Sequence, residues 1–202
     1  MATYQNSRYN IALPSGSGGA MVLIKTLTAS SDNTLDFVHG TSDVVLDNTY
    51  RTYIFKCINM HPASDNQKFN VNFTTDGTNY NVTKTTTLFR AQHNEGDGDT
   101  SLAYDTGDDT AQGTGDQMLN TEIGADNDQC SSGELWLFNP SSTTFVKHIM
   151  SNFNGVMNID YSNQDIMAGY CNTTSAVTGV RFLFASGNID SGTIKLYGIK
   201  DS

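Results

Sequence analysis

Residues 67–90 read QKFNVNFTTDGTNYNVTKTTTLFR, a stretch in which apolar and polar residues alternate on both sides of Asp76-Gly77. Alternation with a period of two places successive side chains on opposite faces of a β-strand. Asp-Gly is a strong signal for the turn between two paired strands. The stretch therefore predicts a β-hairpin, with a first strand through Phe69 and Phe73 and a long return strand.

Similar short runs fill the rest of the chain from Ala20 onward. GELWLFN (133–139) and TTFVKHIMSNF (143–153) flank a Pro-Ser-Ser turn and predict a second hairpin. TYRTYIFKCINM (49–60) carries large apolar side chains in both parities, which is typical of a central sandwich strand. The other predicted strands are MVLIKTLTA (21–29), TLDFV (34–38), QMLNTEI (117–123), DIMAGYCNTT (165–174), AVTGVRFLFAS (176–186) and GTIKLYGIK (192–200).

No window of the chain has the apolar spacing of an amphipathic helix, and the density of Asp, Asn and Gly opposes helix formation. We therefore predict an all-β fold, an antiparallel β-sandwich of jelly-roll-like type with about ten strands. Residues 1–19 end in SGSGG and are interpreted as an N-terminal arm with a Ser/Gly joint. Residues 20–202 are predicted to form a single β-sandwich domain.

Composition excludes several classes of protein. Of the 202 residues, 37% are hydrophobic, including 10 Phe and 9 Tyr, which is enough for a buried core. The net charge is -10 with 11 Lys plus Arg, and no basic stretch predicts nucleic-acid binding. The apolar runs are too short to span a membrane, and the N-terminus lacks the pattern of a secretory signal. Synthesis in a cytoplasm is the expectation.

Cysteine and histidine positions predict neither a disulfide framework nor a metal site. Cys57, Cys130 and Cys171 are odd in number and lack CxxC spacing, so reduced and mostly buried thiols are expected. The histidines are scattered without the spacing of metal ligands. We find no nucleophile elbow, phosphate-binding loop or placeable acid/base pair, so no catalytic residue, cofactor or metal is predicted. The histidines are His39, His61, His93 and His148.

Residues 91–115 (AQHNEGDGDTSLAYDTGDDTAQGTG) are rich in Asp and Gly, with Leu102 and Tyr104 as the main apolar residues. They predict a long exposed excursion, which either has a function or folds on itself over these two residues. Calcium is the natural ligand for so many oxygen donors, although a solvated loop is the commoner meaning of such a run. The donors are Glu95, Asp97, Asp99, Asp105, Asp108, Asp109 and Asp116, with Asp126, Asn127 and Asp128 further on.

Residues 186–200, SGNIDSGTIKLYGIK, resemble the closing strand of small β-sandwich proteins of marine tailed bacteriophages, which carry a Gly-Thr-Ile-x-Leu-Tyr-Gly ending. The resemblance covers most of the chain after the arm and implies a virion structural protein with no catalytic residues, described as a tail-fibre or structural component. The further similar segments are IKTLTASS (24–31), INMHPASDN (58–66), NYNVTKTTT (79–87) and FNPSSTTFVKH (138–148).

The expected function is therefore that of a non-enzymatic virion protein, anchored to the capsid or tail by its arm and displaying the sandwich outward. Its partners would be other virion proteins and copies of itself, with a trimer expected by analogy with phage fibres. Two alternatives remain: a carbohydrate-binding module that recognises host surface glycans through Tyr104 or another exposed aromatic, and a sandwich hydrolase. The candidate anchors in the arm are Tyr4, Arg8, Tyr9, Ile11 and Leu13.

Overall fold

The computed structural model describes residues 20–201, and this part of the chain consists of β-strands and connecting loops without a helix. All strand pairs are antiparallel. The strands are β1 (Met21–Asp32), β2 (Leu35–Val38), β3 (Thr52–Pro62), β4 (Gln67–Thr74), β5 (Lys84–Asn94), β6 (Thr100–Tyr104), β7 (Gln117–Ile123), β8 (Ser131–Phe138), β9 (Lys147–Val156), β10 (Tyr161–Cys171), β11 (Gly179–Phe184) and β12 (Ile189–Ile199).

The strands form two sheets. The large sheet has the order β1-β12-β3-β8-β9-β10-β5-β6 and the small sheet the order β2-β11-β4-β7. The first four strands of the large sheet, together with the small sheet, have the strand order of a jelly roll. The other four strands widen the large sheet beyond this unit. The predicted jelly-roll-like sandwich is confirmed, with twelve strands rather than ten.

Aromatic rings fill the space between the two sheets. Phe182 in β11 lies 5.4 Å from Phe55 in β3, 6.2 Å from Phe37 in β2 and 6.0 Å from Phe69 in β4, measured between ring centroids. All four side chains are buried. Burying this much apolar area from both sheets is the main source of stability for such a fold.

Beneath β10 and β5 the inner face of the large sheet is largely polar. Asp165 of β10 is fully buried and lies 3.1 Å from Arg90 Nε of β5. Its other oxygen accepts hydrogen bonds from Asn120 Nδ2 (2.8 Å), Asn163 Nδ2 (2.9 Å) and the Thr121 backbone N–H (3.1 Å). A buried carboxylate is tolerated because these donors and the guanidinium replace its hydration.

The loop 105–116 covers this polar region. Asp105 lies 2.7 Å and Asp108 3.6 Å from Arg90, so two loop carboxylates share one guanidinium. The Thr86 backbone N–H donates to the carbonyl of Thr110 (2.8 Å), which ties the loop to β5. The loop therefore extends the cover over β5 from the edge of the small sheet, whose strand β7 reaches Asp165 of β10.

The predicted hairpin at residues 67–90 is wrong, although both of its strands exist. β4 pairs with β11 and β7 in the small sheet, whereas β5 pairs with β10 and β6 in the large sheet. The turn at Asp76 does form, since its carboxylate accepts the backbone N–H groups of Thr78 and Asn79. The chain then crosses to the other sheet, where β5 pairs with β10 and β6.

The prediction for residues 91–115 is partly wrong. β5 continues to Asn94, and β6 pairs with it from His93–Thr100 to Phe89–Tyr104, so the first half is a β-hairpin at the sheet edge. All five residues of β6 are exposed, as expected for an excursion. The segment folds on itself, but Leu102 and Tyr104 stay exposed rather than acting as its anchors, and a function for the segment stays a hypothesis.

Other local predictions are confirmed. The hairpin of β8 and β9 forms, with Trp136 opposite Met150. The three cysteines are free thiols, of which Cys57 and Cys171 are buried and Cys130 is half-buried. Ile54 and Phe55, neighbours in β3, are both fully buried, so both faces of this central strand are buried here, more completely than the partly buried faces predicted.

Candidate functional surface

The outer face of the large sheet, which points away from the small sheet, concentrates the exposed apolar side chains. Ten large apolar side chains are exposed in the described part of the chain. Eight of them belong to this face by their strand register, and the remaining two, Phe145 and Ile159, lie in the loops on either side of β9. The eight are Met21, Leu23, Ile58, Phe89, Leu102, Tyr104, Met150 and Ile166.

Half-buried aromatic side chains connect these residues. Trp136 and Phe138 of β8 lie on the outer face with their rings stacked at 6.2 Å. Trp136 stands opposite Ile54, which is fully buried although it points outward. Toward the sheet edge, Phe89 and Tyr104 meet edge to face at 5.5 Å. Exposed apolar side chains thus occur from β1 to β6 on this face, with polar residues such as Thr28, Asn152 and Gln164 between them. Clustering of exposed apolar residues on one face is typical of a binding interface.

Few charges interrupt this face. Lys56 lies 3.2 Å from Glu134, and Glu134 also accepts a hydrogen bond from Trp136 Nε1 at 2.8 Å. Lys195 stands directly opposite Lys56 in the neighbouring strand, a pairing of like charges that costs stability. The centre of the face is thus slightly basic, in contrast to the acidic chain as a whole.

A groove runs along one end of the outer face. Tyr170 and His148 meet edge to face at 6.2 Å between two depressions of about 430 and 540 Å³ that share His148 in their walls. The second depression is lined by Phe138 and Phe145, with the polar side chains of Asn139, Thr144 and Thr174 around them. We call the surface formed by Tyr170, His148, Phe138 and Phe145 the aromatic groove.

The carboxylates of the acidic segment are engaged by protein groups rather than gathered around a cavity. Asp108 pairs with Lys68 in addition to Arg90. Asp109 accepts the hydroxyl of Tyr104 at 2.6 Å, and Asp99 accepts the hydroxyl of Tyr161 at 3.1 Å. In residues 20–201 no three His, Cys, Asp or Glu side chains form a group that could hold a metal ion.

The four histidines lie in separate places. His39 Nδ1 accepts the backbone N–H of Leu46 at 3.1 Å. His61 lies 3.6 Å from Asp190, and His93 lies 3.1 Å from Asp97. Only His148 belongs to the aromatic groove. The further oxygen donors named from the sequence, Asp126, Asn127 and Asp128, are exposed in the loop between β7 and β8.

The predicted arm anchors Tyr4, Arg8, Tyr9, Ile11 and Leu13 lie outside the described residues. Within residues 20–201 there is no helix long and apolar enough to cross a membrane. No protein-family model, curated protein or solved structure matches this chain.

Sequence reasoning missed the outer face, although a signal for it was present. In β8 the odd residues Leu135 and Leu137 point into the core, while the even residues Trp136 and Phe138 are also apolar. A strand that is apolar in both parities is buried on both sides. Within the described chain another layer packs on β8 on one side only. Its second apolar face is therefore not covered by any other described element.

Proposed function

We propose that this chain is a non-enzymatic structural protein of a tailed-phage particle, either a capsid decoration or a tail or fibre component. In this proposal residues 1–19 anchor it to other virion proteins, and the outer face of the large sheet packs against further copies of the chain. The observation that carries the assembly role is the placement on one face of eight of the ten large apolar side chains that are exposed within residues 20–201. The resemblance to phage β-sandwich proteins supports the virion location and synthesis in the host cytoplasm.

The dimensions of the outer face suit a second copy of the chain. Eight strands about 4.8 Å apart, with four rows of outward side chains, present roughly 700 Å². A stable protein interface buries about 800 Å² on each partner. The face also lacks the acidic excess of the rest of the chain, so two copies would meet there without strong repulsion. The proposed assembly is a closed homo-oligomer, for which the trimer remains the preferred state.

Charged substitutions on the outer face test this assembly. The double variant Phe89→Asp, Met150→Asp should lower the oligomer's mass to that of the 21.9 kDa monomer in light scattering, because two carboxylates would be buried in each interface. The control Asn127→Asp adds a charge at an exposed loop position away from the face and should leave the mass unchanged. A wild-type chain that is monomeric at all concentrations would contradict the assembly.

Deletion of residues 1–19 tests the anchor. The truncated protein should fold and oligomerise but be missing from purified particles. If it is incorporated normally, the arm is not the anchor and the docking site lies on the sandwich. Labelled particles viewed by electron microscopy distinguish head from tail positions, and the copy number per particle checks the assignment, since decoration requires many more copies than a fibre.

A second candidate function is recognition of host surface glycans, which the aromatic groove favours. Sugars bind to proteins by stacking on aromatic rings while neighbouring polar groups hydrogen-bond to their hydroxyls, and Phe138 and Phe145 lie beside Asn139 and Thr174. Tyr104 is less suited to stacking than the sequence suggested, because Phe89 covers part of its ring and Asp109 holds its hydroxyl.

A glycan array tests this candidate. A specific signal from the wild-type protein should be lost in Phe145→Ala, whose side chain is exposed and is not a member of the buried core cluster. Tyr104→Ala serves as the matched aromatic control on the same face and should retain binding. An array without any signal would leave assembly as the role of the outer face.

A further inference from the structure

Lys84, the first residue of β5, is a lysine with no exposed surface. Its backbone pairs with Gly113 of the covering loop and stands opposite Cys171 of β10. Its Nζ donates to Asn72 Oδ1 at 2.8 Å and to the carbonyl of Val82 at 2.9 Å. Among the described residues no carboxylate lies within ion-pair distance of this nitrogen.

The surroundings favour the neutral form of this amine. Burial lowers the pKa of Lys84 to about 8, against smaller opposing effects from Cys171 and Asp116. A neutral lysine amine has a free electron pair and is a nucleophile, whereas the ammonium ion is not. A larger fraction of Lys84 than of an ordinary lysine is therefore neutral at mildly alkaline pH.

Asn72, in the middle of β4, presents its amide to this amine. Its Oδ1 accepts the backbone N–H of Phe73 at 2.9 Å in addition to Lys84. Its Nδ2 donates to Asp116 Oδ1 at 2.8 Å and to the carbonyl of Thr114 at 3.3 Å. The carbonyl oxygen is thus held by a fixed donor, as in an oxyanion hole, and the amide nitrogen is held by a carboxylate that can transfer a proton.

We propose that Lys84 and Asn72 join in an intramolecular isopeptide bond, with Asp116 as the catalytic carboxylate. The neutral Nζ attacks Cγ of Asn72, and the electron pair of the C=O bond moves to Oδ1, where the Phe73 N–H stabilises it. Once Nζ is bonded to Cγ it lies beside Nδ2, so the Asp116 oxygen that accepts from Nδ2 takes up a proton from Nζ and delivers it to Nδ2. The bond between Cγ and Nδ2 then breaks and ammonia leaves, so the amine and the amide become a secondary amide and ammonia without any oxidant or cofactor.

The second buried lysine of the described chain shows why the arrangement at Lys84 is specific. Lys147 is also fully buried, and burial lowers its pKa as well. Its Nζ donates only to backbone carbonyls, those of Phe145 (3.1 Å), Thr173 (3.1 Å) and Ser175 (2.6 Å). Backbone carbonyls satisfy an ammonium ion, whereas Lys84 faces a side-chain amide with a carboxylate on its leaving group.

The bond would link the two sheets covalently. Asn72 belongs to the small sheet and Lys84 to the large sheet, and the chain between them makes the crossing that replaces the predicted hairpin. A covalent link that closes a loop stabilises the fold by restricting the unfolded chain. Such a link suits a protein that must withstand mechanical load without a disulfide.

Mass spectrometry of the intact folded protein tests the proposal. Loss of one ammonia lowers the mass by about 17 Da relative to the sequence, as expected when a lysine amine displaces an amide nitrogen. Trypsin should fail to cut after Lys84, so residues 69–90 should appear as one peptide that carries the loss. A full-length mass equal to that of the sequence, with normal cleavage after Lys84, would overturn the proposal.

Two variants separate the chemistry from folding. Asp116→Asn keeps a hydrogen-bonding side chain at an exposed position and should fold, but the protein should retain its full mass. Asp128→Asn, also exposed, is the matched control and should show the same loss of ammonia as the wild type. If Asp116→Asn still loses ammonia in the peptide 69–90, Asp116 is not the catalytic group. A loss located in any other peptide would assign it to another asparagine and contradict the bond.

Discussion

The inner face of the large sheet has two regions that are covered in different ways. Under β12, β3 and β8 the small sheet supplies aromatic side chains, and Phe182 packs among three other phenylalanines. Under β10 and β5 the loop 105–116 supplies carboxylates, and Arg90 and Asp165 form the centre. Apolar contacts are non-directional, whereas removal of one partner from a buried ion pair leaves an uncompensated buried charge. The comparison predicts that the aromatic region provides stability and that the polar region fixes one position of the loop.

The largest effect is expected in the aromatic region. Phe182→Ala should lower the free energy of unfolding by about 4 kcal/mol, because it removes a fully buried ring and leaves a cavity. Leu183→Ala, the next residue on the opposite face of β11, is only half-buried and should cost about 1 kcal/mol. Urea denaturation followed by fluorescence measures both. Equal losses would mean that the ring cluster is not the centre of the core.

A slightly smaller effect is expected in the polar region. Asp165→Ala should cost about 3 kcal/mol, because it leaves Arg90 and the amides of Asn120 and Asn163 without their shared partner. Hydrogen exchange should accelerate in the loop 105–116 well before global unfolding. If the loss of stability spreads evenly over the chain, the two regions are not separate units.

Substitution of Asp105, a loop carboxylate at the edge of the polar region, should lower the free energy of unfolding by less. Asp105→Asn weakens one of the carboxylate contacts to Arg90 and should cost about 1 kcal/mol, since the side chain is partly solvated and can keep its hydrogen bond to the Gly107 N–H. Thermal melting detects a change of this size. A cost as large as that of Asp165→Ala would place the energetic centre of the polar region in the loop rather than in the sheet.

The smallest effect on stability is expected at Asp76, in the segment that crosses from β4 in the small sheet to β5 in the large sheet, and it depends on pH. In the folded protein, hydrogen bonds from Asn79, Thr78 and Thr74 hold the pKa of the Asp76 carboxyl well below its ordinary value of 3.8. The unfolded chain therefore takes up a proton first, and the contribution to stability, complete near neutral pH, is lost as the pH falls below about 4. Asp76→Asn should melt slightly lower near neutral pH and show a shallower decline in acid. Parallel melting curves of wild type and variant across this range would contradict the role of the carboxylate.

The hairpins show where sequence reasoning succeeds and where it fails. Residues 133–153 form the predicted hairpin because β8 and β9 are neighbours in the same sheet. Residues 67–90 have equally regular alternation, but β4 and β5 separate into different sheets because their partners come from distant parts of the chain. A turn signal reports local backbone preference and carries no information about which strand will be paired with which.

The position of Lys84 in the alternating pattern of β5 was a sequence signal for its burial, although the same pattern has a second interpretation. Lys84 shares its parity with Val82 and Leu88, both of which are buried. A lysine on the apolar parity of a strand is either at a sheet edge or buried with partners. Its partners, Asn72 and Asp116, come from a different sheet and from a loop, so only the folded arrangement reveals them.

The sequence by itself determined that this protein is all β, where most of its strands lie and that the chain is acidic with free thiols, because these properties follow from side-chain alternation and composition. Only the tertiary structure decided which face of the large sheet remains apolar and uncovered, which loop covers Arg90, and which lysine meets an amide. These features depend on contacts between residues far apart in the chain, and their free energies are not encoded in any local pattern.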